Sequence, residues 1–179
     1  DTETGIAAVR LLTSLNYRVI TIDHDISART FISKGFLRKA GKIARKNINA
    51  MSGIINEKLP LVGIEPSAIL GFRDEYPDLA GKDLRNRAEE LSRNVFLIDE
   101  FIEREYRAGR IKKESFTSSP GEILVHVHRQ QKAVSSAAPT LGSLSIPVNY
   151  KVTEIPSGCC GMAGAFGYEK EHFELSMKI

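Results

Sequence analysis

Runs of β-branched residues alternate along this chain with segments whose apolar residues recur every three or four positions. The run "YRVITID" at 17–23 follows a helical pattern over 3–15, and "PLVGIEPS" at 60–67 follows a second helical pattern over 33–56. Consecutive parallel strands are usually joined by a crossover helix, so this alternation favours an α/β fold with mostly parallel sheets. The pattern continues with a long helix through Leu84, Ala88, Leu91, Val95, Ile98 and Ile102, a strand "EILVHVH", a short helix over 139–145, a strand "YKVTEI" and a final helix over 166–179.

An internal repeat supports the same architecture. The stretch "NYRVITIDHDISA" begins at Asn16 and "NYKVTEIPSGCCG" begins at Asn149, an offset of 133 residues (149 − 16). Because similar patterns flank both copies, we predict two tandem related lobes, each a small, mostly parallel sheet flanked by helices, over residues 1–115 and 120–179. The alignment sets Ile26, Ser27 and Ala28 of the first copy against Cys159, Cys160 and Gly161 of the second.

Composition excludes several classes of function. A formal charge of +3 over 179 residues is too small to indicate nucleic-acid binding, and no apolar run approaches the roughly 20 residues that span a bilayer. The two cysteines are adjacent, which argues against a disulfide-stapled secreted domain and favours a reducing, cytoplasmic compartment. Helical patterns run up to both ends of the chain, so we expect a piece of a longer protein.

Cys159 and Cys160 stand in a glycine-rich turn between a predicted strand and a predicted helix. Backbone N–H groups converge at such a turn, which suits a thiolate, an iron–sulfur cluster or a phosphate. Adjacent cysteines can both ligate a polynuclear cluster, whereas mononuclear zinc usually needs C-x-x-C spacing. The alternatives are two small buried residues at a tight turn, or a thiol-redox pair. The glycines at 161, 164 and 167 do not form the G-x-G-x-x-G dinucleotide fingerprint.

Polar residues also follow two other predicted strands. His126 and His128 are two residues apart, so they share one face of a strand near its C-terminal end, where α/β sheets bind ligands. They are either part of a metal site or hydrogen-bonding groups, and the following Arg129 and Lys132 either bind an anion or are solvated. At the other strand end, Glu65 and Ser67 either orient a catalytic group or cap the next helix, and capping is favoured.

Several stretches of the sequence resemble one family. "SGCCGMAGAFGYEKEHFELSMKI" resembles the CCG cysteine-rich domain found at the C-terminal end of FAD-linked oxidases of the D-lactate dehydrogenase and glycolate oxidase iron–sulfur type, and duplicated in heterodisulfide reductase. "ISKGFL", "VGIEPSAILGFRDEYPDL" and "HVHRQQKA" match other stretches of the family, so the resemblance covers nearly the whole chain. It implies electron transfer, with cysteine ligands to a cluster in each repeat.

The sequence departs from that family pattern at most of the implied ligand positions. The family's Cys-Cys-Gly is replaced by Ile26-Ser27-Ala28, the cysteine of an "EPSC"-like turn by Ala68, and a strand-end cysteine by Arg129. Alanine and isoleucine cannot ligate iron, so we expect a metal-free first lobe. Cys159 and Cys160 are the retained ligand positions, and we expect them to be unoccupied because Arg129 brings a positive charge where a thiolate would stand.

The resemblance therefore implies an accessory domain of a FAD-linked, iron–sulfur oxidoreductase acting on a 2-hydroxy acid such as D-lactate or glycolate. Its partners would be the FAD-binding and ferredoxin-like domains of the same polypeptide or complex, and the parent would carry FAD and [4Fe-4S]. Peripheral association of the parent with the inner face of the membrane is compatible with this interpretation. We expect no cofactor on this piece and no catalysis by it alone. The alternative is a non-catalytic module with an anion or carboxylate pocket formed by His126, His128, Arg129, Lys132, Glu65, Ser67 and Gly161.

Overall fold

The structure, a computed structural model, describes residues 2–158 and 169–178. Short parallel strand pairs are embedded among helices, which confirms the predicted α/β class with two small parallel sheets. The α-helices in the described part are α1 (Thr2–Ser14), α2 (Arg29–Ser33), α3 (Leu37–Met51), α4 (Pro66–Arg73), α5 (Glu75–Leu79), α6 (Arg85–Ser92), α7 (Ile98–Arg107), α8 (Arg129–Val134), α9 (Ala138–Leu144) and α10 (Phe173–Ser176). The strands there are β1 (Leu61–Gly63), β2 (Val95–Leu97), β3 (Gly121–Val125) and β4 (Tyr150–Glu154), and 3-10 turns cover Lys113–Ser115 and Lys170–His172.

Each sheet of the described part is a parallel pair. β1 pairs with β2 so that Leu61 lies opposite Val95, and β3 pairs with β4 so that Gly121 lies opposite Tyr150. The main core lies around the first pair, where α4 packs against both strands and one face of α3 packs against α5 and α6. The second pair is less covered, and Leu124 at its centre is 66% exposed.

The long helix predicted through residues 84–102 is wrong. Its apolar residues do recur at helical spacing, but the chain forms α6, then β2, then α7. Asn94 follows α6 by two residues, and its main-chain N–H donates to Leu91 O while its side-chain amide donates to Glu90 O. The three residues after it pair with β1, and Val95 and Leu97 are buried there. These tertiary contacts outweigh local helical periodicity.

Other element limits also differ from the sequence pattern. Residues 17–23 were predicted as a strand and lie outside the regular strands of the structure, because no described segment pairs with them. β3 ends at Val125 and not at His128, since the backbone turns there into α8. The predicted helix over 33–56 is shorter, and the described part of the predicted final helix consists of a 3-10 turn and α10.

A cluster of charged groups connects α7 to Tyr17, three residues after the end of α1. Glu105 is 3% exposed and accepts hydrogen bonds from Tyr17 Oη at 2.8 Å and from Arg110 Nε at 2.5 Å. The bond from Arg110 leads a set of contacts that lowers the pKa of Glu105 to about 2, against the opposing effect of burial. Burial and the bond to Glu105 raise the pKa of Tyr17 to about 12.

We expect Glu105 to make the free energy of unfolding depend on pH in the acid range. Its pKa is about 2 in the folded chain and about 4.3 in an unfolded one, so its contribution is fully present above about pH 5 and is lost as the pH falls towards 2. The free energy of unfolding should fall by at most about 3 kcal/mol for this reason. Urea unfolding at pH 7, 4 and 3 measures it, with Glu105→Gln as the comparison. An equally steep acid dependence in Glu105→Gln would contradict the assignment to this carboxylate.

Candidate functional site

Residues 25–28, the first-lobe turn that the predicted repeat aligns with the cysteine turn, are held by buried amide and phenol groups. Asn47 on α3 is fully buried, and its Oδ1 accepts the N–H of Asp25 at 2.8 Å. Its Nδ2 donates to Ile26 O at 3.0 Å and to Tyr76 Oη at 2.9 Å. Tyr76 Oη in turn donates to Ser27 O at 3.1 Å, and burial raises the pKa of Tyr76 to about 12. The backbone of the turn is thus fixed by protein hydrogen bonds.

The same turn keeps an unusual backbone conformation. Ala28 has φ of 63°, in the left-handed region that favours glycine, and is 1% exposed. Its counterpart in the repeat is Gly161, which can adopt that region without steric cost. The turn therefore has a glycine-like geometry although it carries an alanine.

The residues of this first-lobe turn do not fit an iron–sulfur cluster. Ile26 and Ala28 offer no donor atom, and the backbone carbonyls of Ile26 and Ser27 are bonded to Asn47 and Tyr76. Elsewhere in the described ranges, no group of three or more His, Cys, Asp and Glu side chains is arranged to hold a metal ion. The donor chemistry of the first lobe thus gives no support to a metal centre there.

Glu65 acts as a helix cap, as its favoured sequence interpretation predicts. Its carboxylate accepts the N–H of Ser67 at 3.2 Å and of Ala68 at 2.5 Å, and Ser67 Oγ donates to it at 2.5 Å. Pro66 occupies the first turn of α4, where it has no N–H to satisfy. Both oxygens of Glu65 are therefore engaged in starting α4, and Ser67 is engaged with them.

The second-lobe candidates lie where the chain passes from β3 into α8. His126 and His128 are exposed on either side of the buried Val127, so alternation continues past the strand end. Their hydrogen bonds diverge, because His126 Nε2 lies 3.1 Å from Gly158 O while His128 Nδ1 accepts the N–H of Gln130 at 3.2 Å. The structure gives both histidines a hydrogen-bonding role.

The two basic residues after the histidines differ in their surroundings. Lys132 Nζ lies 2.9 Å from a carboxylate oxygen of Glu154, the last residue of β4, so its charge is already paired. Arg129 begins α8 and is exposed. The structure thus brings His126, His128, Arg129 and Lys132 to one end of the β3–β4 pair. Glu65 and Ser67 belong to the first sheet, and Cys159, Cys160 and Gly161 lie outside the described residues.

Asn47 and Tyr76 were missed by the sequence analysis, although one signal was available. Asn47 falls on the apolar face of α3, between the buried Ala44, Ile48 and Met51. A polar residue on such a face must find a buried partner, since leaving it unpaired costs free energy. Tyr76 had no comparable signal, because its hydroxyl meets Asn47 only after α5 folds against α3.

Proteins of known activity resemble this chain over most of its length. It is 26% identical over 171 residues to D-2-hydroxyglutarate dehydrogenase from Pantoea ananatis (strain AJ13355), covering 96% of this chain and 16% of that protein. The corresponding Escherichia coli (strain K12) enzyme is 26% identical over 173 residues, with the same coverage. One subunit of the anaerobic glycerol-3-phosphate dehydrogenase of E. coli (strain K12) is 26% identical over 149 residues, 83% of this chain and 36% of that protein.

The chain therefore spans about a sixth of the hydroxyglutarate dehydrogenases that it resembles. No family model matches it, and no solved structure matches it either. These relatives are named as dehydrogenases, which agrees with the predicted oxidoreductase class. Among the described residues, no helix has the length and apolarity needed to cross a membrane.

Proposed function

We propose that this chain is an accessory module of a FAD-linked, iron–sulfur oxidoreductase that acts on a 2-hydroxy acid. The observation that carries the proposal is the coverage, since 96% of the chain aligns with only 16% of the hydroxyglutarate dehydrogenases. A module of this size within a much longer enzyme leaves room for separate FAD-binding and ferredoxin-like domains. D-2-hydroxyglutarate, D-lactate and glycolate are the substrates to test, because all three share the 2-hydroxy acid group.

Within that enzyme, the first lobe serves as a scaffold and carries no cluster. The hydrogen bonds from Asn47 and Tyr76 fix the turn that family members with Cys-Cys-Gly would present to iron. A turn fixed in this way keeps the surface that neighbouring domains contact without needing a metal. The division into repeats at 1–115 and 120–179, and an unoccupied Cys159–Cys160 turn, belong to this proposal.

The test uses the protein in its full-length form, with its own upstream sequence, purified without oxygen. We expect each effective 2-hydroxy acid to bleach the flavin and to reduce an artificial electron-accepting dye. No bleaching with D-2-hydroxyglutarate, D-lactate or glycolate would overturn the proposed activity. Iron and acid-labile sulfide are then compared with those of Cys159→Ser/Cys160→Ser. Equal contents support the unoccupied turn, and a loss of about four iron atoms per chain would overturn it.

The exposed end of the β3–β4 pair favours a second candidate function, a non-catalytic carboxylate-binding module. Arg129 is exposed beside His126 and His128, and a guanidinium binds carboxylates through paired hydrogen bonds. On this alternative, Arg129→Ala should weaken binding of D-2-hydroxyglutarate to the 179-residue chain by about tenfold or more. Calorimetric titration measures the affinity, and Arg38→Ala on α3 is the matched control. Unchanged affinity in Arg129→Ala would remove the carboxylate pocket.

A further inference from the structure

A cleft of about 810 Å³ runs through the first lobe between two stretches of backbone. Residues 17–22 form one wall, and residues 60–64, which include β1, form the other. Helices line the two remaining sides, with Val9 and Leu12 contributed by α1 and Ile98 and Phe101 by α7. A slot with backbone on two sides and apolar helix faces on the other two has the surroundings of an inner strand in an α/β sheet.

The backbone of β1 is available on the side of this cleft. β1 pairs with β2 on its other side, and Leu61 N–H donates to Asn94 O there. Successive residues of a strand direct their N–H and C=O groups to opposite edges, so those of Val62 are directed away from β2 and towards the cleft. Residues 17–22 also lack a ladder partner in the described part of the chain. Two backbone edges therefore border the cleft.

The internal repeat indicates which kind of element would lie between the two backbone edges. The offset of 133 residues aligns Tyr17 with Tyr150, the first residue of β4, and aligns most of α1 with α9. In the second lobe, β4 pairs in parallel with β3, which precedes α9 in the chain. The same offset aligns no residue of this chain with β3, because β3 begins at Gly121 and the offset is 133. No described residue occupies the corresponding place in the first lobe.

We propose that the cleft binds a β-strand supplied by another segment of the longer enzyme that the proposed function implies. The strand lies parallel to β1 and to residues 17–22, so that the completed sheet has the order 17–22, inserted strand, β1, β2. Helices cover both faces at this position, so the inserted residues are apolar and β-branched on both sides, like the "ILV" of β3. Main-chain hydrogen bonds supply the affinity and the helix faces supply the selectivity, as in other cases of strand addition.

The cleft lining includes charged as well as apolar side chains, and the charged ones are Arg18, Glu57, Lys58, Arg104, Glu105 and Arg110. The buried one, Glu105, is paired with Arg104 and Arg110 and accepts a hydrogen bond from the Tyr17 hydroxyl, so its negative charge is already balanced. Large apolar side chains around the cleft are exposed, including Val9 at 41%, Ile20 at 46% and Ile64 at 41%. Burial of these side chains favours an apolar strand as the occupant. The occupant rests on the proposed function in one respect, namely that this chain is a module of a longer polypeptide. Peptide binding to the 179-residue chain and flavin bleaching in the full-length protein test the two proposals separately.

A synthetic peptide can replace the missing strand in the test. The probe is a fluorescein-labelled peptide of residues 120–128, "PGEILVHVH", and the control peptide carries Leu124→Pro, which removes a ladder N–H. We expect the probe to bind the 179-residue chain by fluorescence anisotropy and the control peptide to bind at least about tenfold more weakly. Bound probe should also slow amide hydrogen exchange at 17–22 and 61–64 by about tenfold or more.

Matched variants of the chain locate the bound peptide. Ile20→Asp, inside the cleft, should weaken probe binding by about tenfold, and so should Val9→Asp on α1. Ile54→Asp should not, because Ile54 is 40% exposed and lies outside the cleft lining. No binding at about 1 mM probe, where strand addition should be measurable, overturns the proposal. Equal losses in Ile20→Asp and Ile54→Asp also overturn it. A dimer that Ile20→Asp converts to a monomer would make a second copy the occupant and overturn it too.

Discussion

Replacing Asn47 with alanine should lower the free energy of unfolding by about 4 kcal/mol. The side chain is fully buried and makes hydrogen bonds to Asp25 N, Ile26 O and Tyr76 Oη. Alanine would leave these groups without their amide partner in an environment that water does not reach, and each such loss costs about 1–3 kcal/mol. Urea denaturation followed by circular dichroism measures the change. Amide hydrogen exchange at residues 25–28 should rise more than exchange in β3.

Asn49→Ala provides the matched control on the same helix. Asn49 is exposed, and its side chain accepts only a 3.3 Å bond from Arg87, so its loss should cost less than about 0.5 kcal/mol. A loss below about 1 kcal/mol in Asn47→Ala would show that the turn at residues 25–28 does not depend on this amide. The scaffold role proposed for the first lobe would then lose its structural basis.

Glu100→Ala should also destabilise the fold, by about 3–5 kcal/mol. Glu100 is 8% exposed and accepts hydrogen bonds from both terminal nitrogens of Arg73, at 3.0 and 2.5 Å. It also accepts the Leu97 N–H at 2.9 Å and the Ser135 hydroxyl at 2.5 Å. Alanine would leave the Leu97 N–H unpaired and the Arg73 guanidinium without its carboxylate partner, although the bond from Arg73 to Val95 O at 2.7 Å would remain. Because Ser135 follows α8, the substitution should also weaken the attachment of the second half of the chain to the first.

The titration of Glu100 agrees in sign with this expectation. Burial alone raises the pKa of this carboxyl, but hydrogen bonds from Arg73, Ser135 and Leu97 outweigh it, so its pKa lies below the ordinary value. A lowered pKa means that the folded state favours the charged form, and this stabilisation is lost as the pH falls below the unfolded-state value.

Unfolding midpoints of four proteins test the Arg73–Glu100 pair. The four proteins are the parent chain, Glu100→Ala, Arg73→Ala and the double variant. Together they form a double-mutant cycle, which isolates the coupling energy between the two side chains. Glu89→Ala is the control, because Glu89 forms an exposed pair with Arg85 and should cost less than about 0.5 kcal/mol. A cost for Glu100→Ala no larger than that of Glu89→Ala would contradict the interpretation.

Local signals in the sequence predicted a good part of the fold. The strands β3 and β4 and the helices α1 and α9 follow from periodicity, and Glu65 at the start of α4 follows from capping chemistry. Periodicity was wrong for residues 84–102, because a three-residue strand and a helix can share the same apolar spacing when both are buried. It was also wrong for residues 17–23, because a strand needs a partner as well as a suitable composition.

The features of the candidate site also divide into those that the sequence predicts and those that only the structure shows. The identities of Ile26, Ser27, Ala28 and Ala68 can be read directly from the sequence, and they determine which donor atoms those positions can offer. The hydroxyl of Tyr76 and the amide of Asn47 meet across 29 residues of sequence, and no spacing rule connects them. The pairing of Lys132 with Glu154, which engages one of the two expected anion-binding cations, is likewise visible only in three dimensions.

The sequence by itself determined the α/β class and the residue types at 26–28 and 68, because these depend on side-chain type and on spacing along the chain. Only the tertiary structure decided which groups hold the backbone of residues 25–28 and where a backbone edge is left open. The physical reason is that hydrogen bonds such as Asn47–Tyr76, and the cleft beside β1, join segments far apart in sequence, and such contacts form only when packing brings those segments together.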